Sequence, residues 1–231
     1  MTQLDQLTEQ HYFVSPVYMV KKPEFLPTVS AVSQQYITRS RARKRNKNPV
    51  VVMSASYMHE PQMAEFAKYV SQTAWNILSA QGYRMEDMVT FFTEMWTQEH
   101  NYLSNMETHV HGHNVQINAF YFLDVPQGSC KMAIHDPRPG KVILNLHPQD
   151  SRNVSQASHQ VVFTPEPGLL VLANSWLPHS FTKNFSKEPM RFVHMNLSVA
   201  VNPEAVERMQ NGEMPAKCCQ KSKKAKQVDV L

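Results

Sequence analysis

Val115–Val125, VQINAFYFLDV, is the stretch that decides the class of fold. Val115, Ile117, Ala119, Tyr121, Leu123 and Val125 fall at every second position, the period of a strand whose apolar side chains share one face. The same period recurs from about Phe91 onward in short runs: FFTEMWTQ, CKMAIHD, KVILNL, HQVVFTP, LLVLANS, HSFTKNF and RFVHMNLSVAV. Prolines stand at the seams between these runs, such as Pro126, Pro165, Pro178 and Pro189. That is where a residue unable to donate to a strand ladder is tolerated. Many short strands with no helices between them predict a mainly β domain, an antiparallel sandwich or barrel over about residues 91–202.

The chain before residue 90 reads differently. In PQMAEFAKYVSQTAWNILSAQGY, Met63, Phe66, Ala67, Val70, Ala74, Ile77 and Leu78 form one apolar stripe at helical spacing. Pro61 suits the first turn of this helix and Gly82 its C-terminal stop. The preceding basic stretch and NPVVVMSASYMHE are expected to connect it to an irregular or partly helical N-terminus. After the last strand, PEAVERMQNGE is expected to form a short helix capped by Asn202. With 231 residues there is enough chain for one sizeable core. We expect a single domain over residues 1–212 and a disordered basic tail over 213–231.

Charge and cysteine content narrow the setting. The formal charge of +4 is concentrated in two runs, RSRARKRNK (Arg39 to Lys47) and KCCQKSKKAK (Lys217 to Lys226). Runs of this kind are usually solvated segments, and contact with nucleic acid is the sharper alternative. No apolar run approaches the ~20 residues of a membrane-spanning helix, so no membrane role is expected. The N-terminus MTQLDQLTEQHYF is polar and lacks an apolar signal core. Cys130 and the adjacent pair Cys218 and Cys219 make no disulfide framework, which fits a reducing cytoplasm.

The chemistry is carried by histidine. In ETHVHGHN, Glu107 to Asn114, three imidazoles occupy alternate positions, His109, His111 and His113. They would share one face of an extended chain, and imidazole is a common ligand of iron, zinc and copper. His179 opens a later strand after a Trp-Leu-Pro turn, and a folded sheet would bring it beside this cluster. Arg191 shares the parity of Val193, Met195, Leu197, Val199 and Val201, so it is expected to point inward and to need an anion. That anion is either an Asp or Glu of the protein or a bound carboxylate. Asp136, at a strand end before a Pro turn, is either a turn residue, an oxygen ligand or a carboxylate that orients a histidine.

In order and spacing, HVHGHNVQINAFYFLDVP, MAIHDPRPG, PGLLVLANSWLPHSFTKN and RFVHMN resemble the small 2-oxoglutarate/Fe(II)-dependent oxygenases found in phages and bacteria. The matching positions are His109 and His111, Tyr121 to Pro126, Asp136 to Arg138, Gly168 to Trp176, His179 with Phe181 and Asn184, and Arg191 with Asn196. MWTQEHNYLSNMETH and the N-terminal YFVSPVYMV extend the resemblance over most of residues 11–200.

The resemblance implies a double-stranded β-helix, a jelly-roll or cupin-like barrel with supporting N-terminal helices and its site in the mouth. It implies a cytoplasmic dioxygenase that uses Fe(II), 2-oxoglutarate and dioxygen to hydroxylate an unidentified substrate, releasing succinate and CO2. His179 then matches the distal metal ligand, and His109 and His111 fill the proximal slots, with Asp136 a further candidate ligand. Arg191 stands where the wider superfamily places the residue that grips the far carboxylate of 2-oxoglutarate, and Tyr121 and Asn196 are further candidates for that contact. The usual proximal H-x-D or H-x-E is absent from residues 107–114, which leaves the metal's identity open. The competing readings are a cupin-like metal protein that does not use 2-oxoglutarate, and a nucleic-acid-associated protein acting through its basic segments.

Overall fold

The computed structural model describes residues 8, 11–43, 49–144 and 146–211. Its strands are β1 (Val17–Lys21), β2 (Val51–Met53), β3 (Met88–His100), β4 (Met106–His109), β5 (Ile117–Asp124), β6 (Met132–His135), β7 (Gln160–Phe163), β8 (Leu169–Asn174), β9 (His179–Phe181) and β10 (Met190–Val201). The helices are α1 (Leu26–Arg43), α2 (Ala64–Ala80), α3 (Pro139–Leu144) and α4 (Pro203–Gln210). Six strands form one sheet in the order β1-β8-β5-β10-β3-β2, and four form a second in the order β4-β9-β6-β7. All pairings are antiparallel. The two sheets make the double-stranded β-helix expected from the sequence.

Both faces of the large sheet are covered, so β5 is buried at seven consecutive positions. Odd residues of β5 and β10 (Ile117, Ala119, Tyr121, Val193, Met195, Leu197) pack against Phe66, Val70, Ala74 and Ile77 of α2 and Val29 and Val32 of α1. Even residues (Phe120, Phe122, Phe192) meet Met132, Ile134 and Phe181 of the small sheet inside the barrel. A large apolar side chain buried in either layer contributes roughly 1.5–3 kcal/mol by leaving water. The alternating period of VQINAFYFLDV therefore marks its face toward the helices, while Phe120 and Phe122 fill the opposite face.

The α2 stripe is as expected, with a 3-10 turn at Pro61–Met63 leading into it and Gly82 in the left-handed region (φ 90°) just past its end. Asn202 caps α4 by accepting a hydrogen bond from Glu204 N at 3.0 Å. Two elements differ from expectation. KVILNL does not form a strand; Lys141–Leu144 belongs to α3, with Ile143 and Leu144 exposed. An apolar run of this length does not separate strand from helix, and Pro139 is well placed to start a helical turn. The N-terminal part holds an eighteen-residue helix, α1, which buries only Val29, Val32, Ser33 and Ile37. Arg39–Arg43 lies in its last turns; the remainder of that basic run and the tail 213–231 fall outside the described residues.

Candidate metal centre

His109 ends β4 and pairs with His179, which opens β9. His111 follows in an irregular segment fixed by its backbone N–H, which donates to Ser175 O at 3.0 Å. The chain then reverses through His113 and Asn114, both at positive φ (27° and 60°), before entering β5. The three alternate histidines are thus not on one extended face. His113 turns away and is exposed, while His109 and His111 come together with His179. One ring nitrogen from each of His109, His111 and His179 lies within 4.8 Å of the other two. The ring centroids of His109 and His179 are 4.5 Å apart, and those of His109 and His111 5.1 Å.

Backbone carbonyls set the tautomers. His109 Nδ1–H donates to Glu107 O at 2.8 Å, and His179 Nδ1–H donates to Leu177 O at 3.1 Å. In each ring the lone pair is therefore on Nε2, the arrangement that orients a ligating imidazole. Nε2 of His111 and of His179 are buried with no hydrogen-bond partner. Burial lowers the pKa of both rings to about 4, helped by the neighbouring imidazoles, so they are neutral and free to ligate at pH 7. Buried polar atoms without partners are costly, and a divalent ion supplies what these two lack. The residues present fit a metal held by three imidazoles.

Asp136 is not part of this cluster. Its carboxylate accepts from Arg138 Nε at 2.9 Å and Nη2 at 2.8 Å and lies 3.1 Å from Lys141 Nζ. The Arg138 hydrogen bonds hold its pKa far below the usual carboxylate range. It acts as a turn residue, accepting from Arg138 N at 3.0 Å as well.

Arg191 does share parity with Val193 and Met195, but that face meets the helices and not the barrel. Its guanidinium donates to the fully buried Glu99 at 2.7 Å and to Gln34 Oε1 of α1 at 2.8 Å, and lies 3.4 Å from Asp124. Glu99 also receives Arg41 of α1 through two hydrogen bonds. The anion that the inward reading of Arg191 required is a protein carboxylate. Tyr121 lies on the same side, with its ring against Phe66 (4.9 Å) and its hydroxyl donating to Lys22 O at 2.7 Å. Of the three residues considered for the cosubstrate, only Asn196 faces the barrel. It donates to Glu94 at 3.2 Å and leaves Oδ1 unpaired.

The interior also holds polar residues that parity reasoning passed over. His194 is fully buried among Trp96, Phe120 and His111, with centroid distances of 4.3, 4.4 and 5.0 Å. Asn118, cross-strand from Asn196, has both amide atoms buried and unpaired. The signal available in the sequence was a set of polar residues at even positions of otherwise apolar strands, Asn118, His194 and Asn196.

Residues 94–196, from β3 to the middle of β10, match the family model described as "Putative 2OG-Fe(II) oxygenase". No curated protein matches the chain. Several solved structures share its fold. A Pseudomonas putida prolyl-4-hydroxylase aligns at 9% identity over 80% of this chain and 92% of its own, with a TM-score of 0.56. The alpha ketoglutarate dependent epimerase SnoN from nogalamycin biosynthesis aligns at 14% identity over 82% and 79%, with a TM-score of 0.54. HygX from Streptomyces hygroscopicus, solved with nickel and 2-oxoglutarate bound, aligns at 10% identity over 80% and 83%, with a TM-score of 0.51. Over its barrel the chain thus resembles the 2OG-Fe(II) oxygenases, and its fold is the one that these solved structures share.

Proposed function

We propose that the protein is a dioxygenase that oxidises its substrate at a metal held by His109, His111 and His179. The observation that carries this reading is the convergence of three imidazoles at one point of the barrel, two with buried, unpartnered Nε2 atoms. When bound, iron and 2-oxoglutarate supply the oxidising chemistry: dioxygen is consumed, the cosubstrate leaves as succinate and CO2, and the substrate gains an oxygen atom or loses hydrogen. The protein's part is geometric. Glu107 O and Leu177 O hold two of the imidazoles in the ligating tautomer, and the Ser175 carbonyl holds the backbone of the third. Phe120 packs edge-on to the His179 ring at 5.1 Å and walls the centre from the core beneath. The buried free thiol of Cys130 suits a reducing cytoplasm.

Anaerobic addition of Fe(II) and then 2-oxoglutarate should produce the visible charge-transfer band of a chelated 2-oxo acid, and His179→Ala should abolish it. Iron binding without a band would favour the second reading, a barrel of this type that uses its metal without 2-oxoglutarate. An all-imidazole donor set supports that alternative, because it lacks the carboxylate of the usual facial triad. Among the described residues, the only part of the basic runs on view is the end of α1, where Arg41 is committed to Glu99.

A further inference from the structure

Among the described residues no lysine or arginine is buried, and Arg191 is held on the helix side of the sheet by Glu99, Gln34 and Asp124. A carboxylate removed from water needs donors in place of its hydration shell. The barrel wall formed by β3 and β10 offers them in uncharged form. Gln98 and His194 face inward there, beside Phe192 and Phe120.

The orientation of His194 follows from its neighbours. Gln98 Nε2 lies 3.3 Å from His194 Nδ1, and Gln98 Oε1 lies 3.1 Å from His100 Nε2. An amide nitrogen can only donate, so His194 Nδ1 accepts and the ring hydrogen is on Nε2. The same amide orientation gives His100 a hydrogen to donate to Oε1, so one assignment satisfies both contacts. His194 Nε2–H is then a buried donor with no partner, in a ring 5.0 Å from His111 and 6.3 Å from His179. It stands beside the proposed ligands and is not used by them.

We infer that His194, oriented by Gln98, donates its Nε2–H to the carboxylate of the cosubstrate, so that this chain holds 2-oxoglutarate by an uncharged contact in place of an arginine. The inference rests on the three-histidine reading above, and the two fail differently. The decisive measurement is direct binding under anaerobic conditions, using Mn(II) for metal affinity and then 2-oxoglutarate titrated onto the Mn(II)-loaded protein by calorimetry. His194→Phe should leave the Mn(II) dissociation constant within about twofold and weaken 2-oxoglutarate about tenfold or more, the loss of one hydrogen bond to a charged group. His194→Gln, which restores an N–H donor, should recover most of that affinity. Arg191→Met should leave 2-oxoglutarate binding within about twofold.

If His194→Phe weakens Mn(II) as much as 2-oxoglutarate, His194 is a fourth ligand and the inference is wrong. Unchanged 2-oxoglutarate affinity in both His194 variants would overturn it, as would a large loss in Arg191→Met. Failure of the wild-type protein to bind Mn(II) would instead sink the three-histidine centre itself.

Discussion

Along β10 the odd residues Val193, Met195 and Leu197 meet the helices, and the even residues Phe192, His194 and Asn196 meet the barrel. Both faces are buried, but their chemistry differs. The helix-side face is apolar to its end, where Arg191 finds a buried carboxylate and an amide oxygen. The barrel face retains unpartnered polar atoms on His194 and Asn196, with Asn118 across the strand and His111 and His179 close by. A native core rarely tolerates such a group of unsatisfied atoms. The difference separates a face that contributes stability from one that, on the proposed reading, carries function at some cost to stability.

The largest effect should come from the barrel side. His179→Ala removes one of three imidazoles and should weaken divalent metal binding more than a hundredfold, since even the outer-shell partners of ligands contribute ~10–100-fold. The unfolding midpoint of the metal-free protein should hardly move, because the ring it loses carries an unsatisfied buried nitrogen. Metal titration beside denaturant unfolding reads both quantities. A strongly destabilised His179→Ala protein with intact metal affinity would reverse the assignment of the two faces.

Met195→Ala is the mirror experiment on the helix side. The side chain is fully buried in the layer shared with α1 and α2, and its truncation should cost about 2–5 kcal/mol of unfolding free energy. Metal affinity measured well below the lowered midpoint should not change. Loss of metal binding in a folded Met195→Ala protein would mean that the two layers are not separable.

The same contrast explains what could be read from the chain beforehand. Period-two alternation located most of the strands, histidine spacing grouped His109, His111 and His113 with His179, and the family resemblance narrowed these to His109, His111 and His179 with Asp136 as a further candidate. The structure brings these three together. Parity identifies which residues share a face, but not which of two buried faces looks into the barrel. Equating the apolar face of a strand with the interior of the barrel points Arg191 inward. In a sheet covered on both sides, the apolar face of β5 and β10 belongs to the helices. Helix α1 was only partly legible, because LPTVSAVSQQYITRSRAR spreads Val, Ser, Thr and Gln around its circumference.

A smaller effect tests how far the barrel-side character extends below the three-histidine cluster. His100 lies on the inward face of β3 opposite Met190, and its ring stacks on Phe192 at 5.4 Å. Burial lowers its pKa from 6.5 to about 4. As pH falls below 6.5, the unfolded chain takes up a proton that the folded protein refuses until about pH 4. This contribution is complete above pH 6.5 and drains away through that window. His111, His179 and His194 act in the same direction, so the metal-free protein should lose stability steadily over this range. His100 supplies about 1 kcal/mol of the loss between pH 6.5 and 5.5. His100→Phe keeps an aromatic ring in the stack and removes the titrating group, so its denaturant midpoint should fall less over that pH unit than that of the wild type. Parallel pH profiles would show that His100 is already charged or solvated in the folded state, and that the neutral interior stops at Gln98.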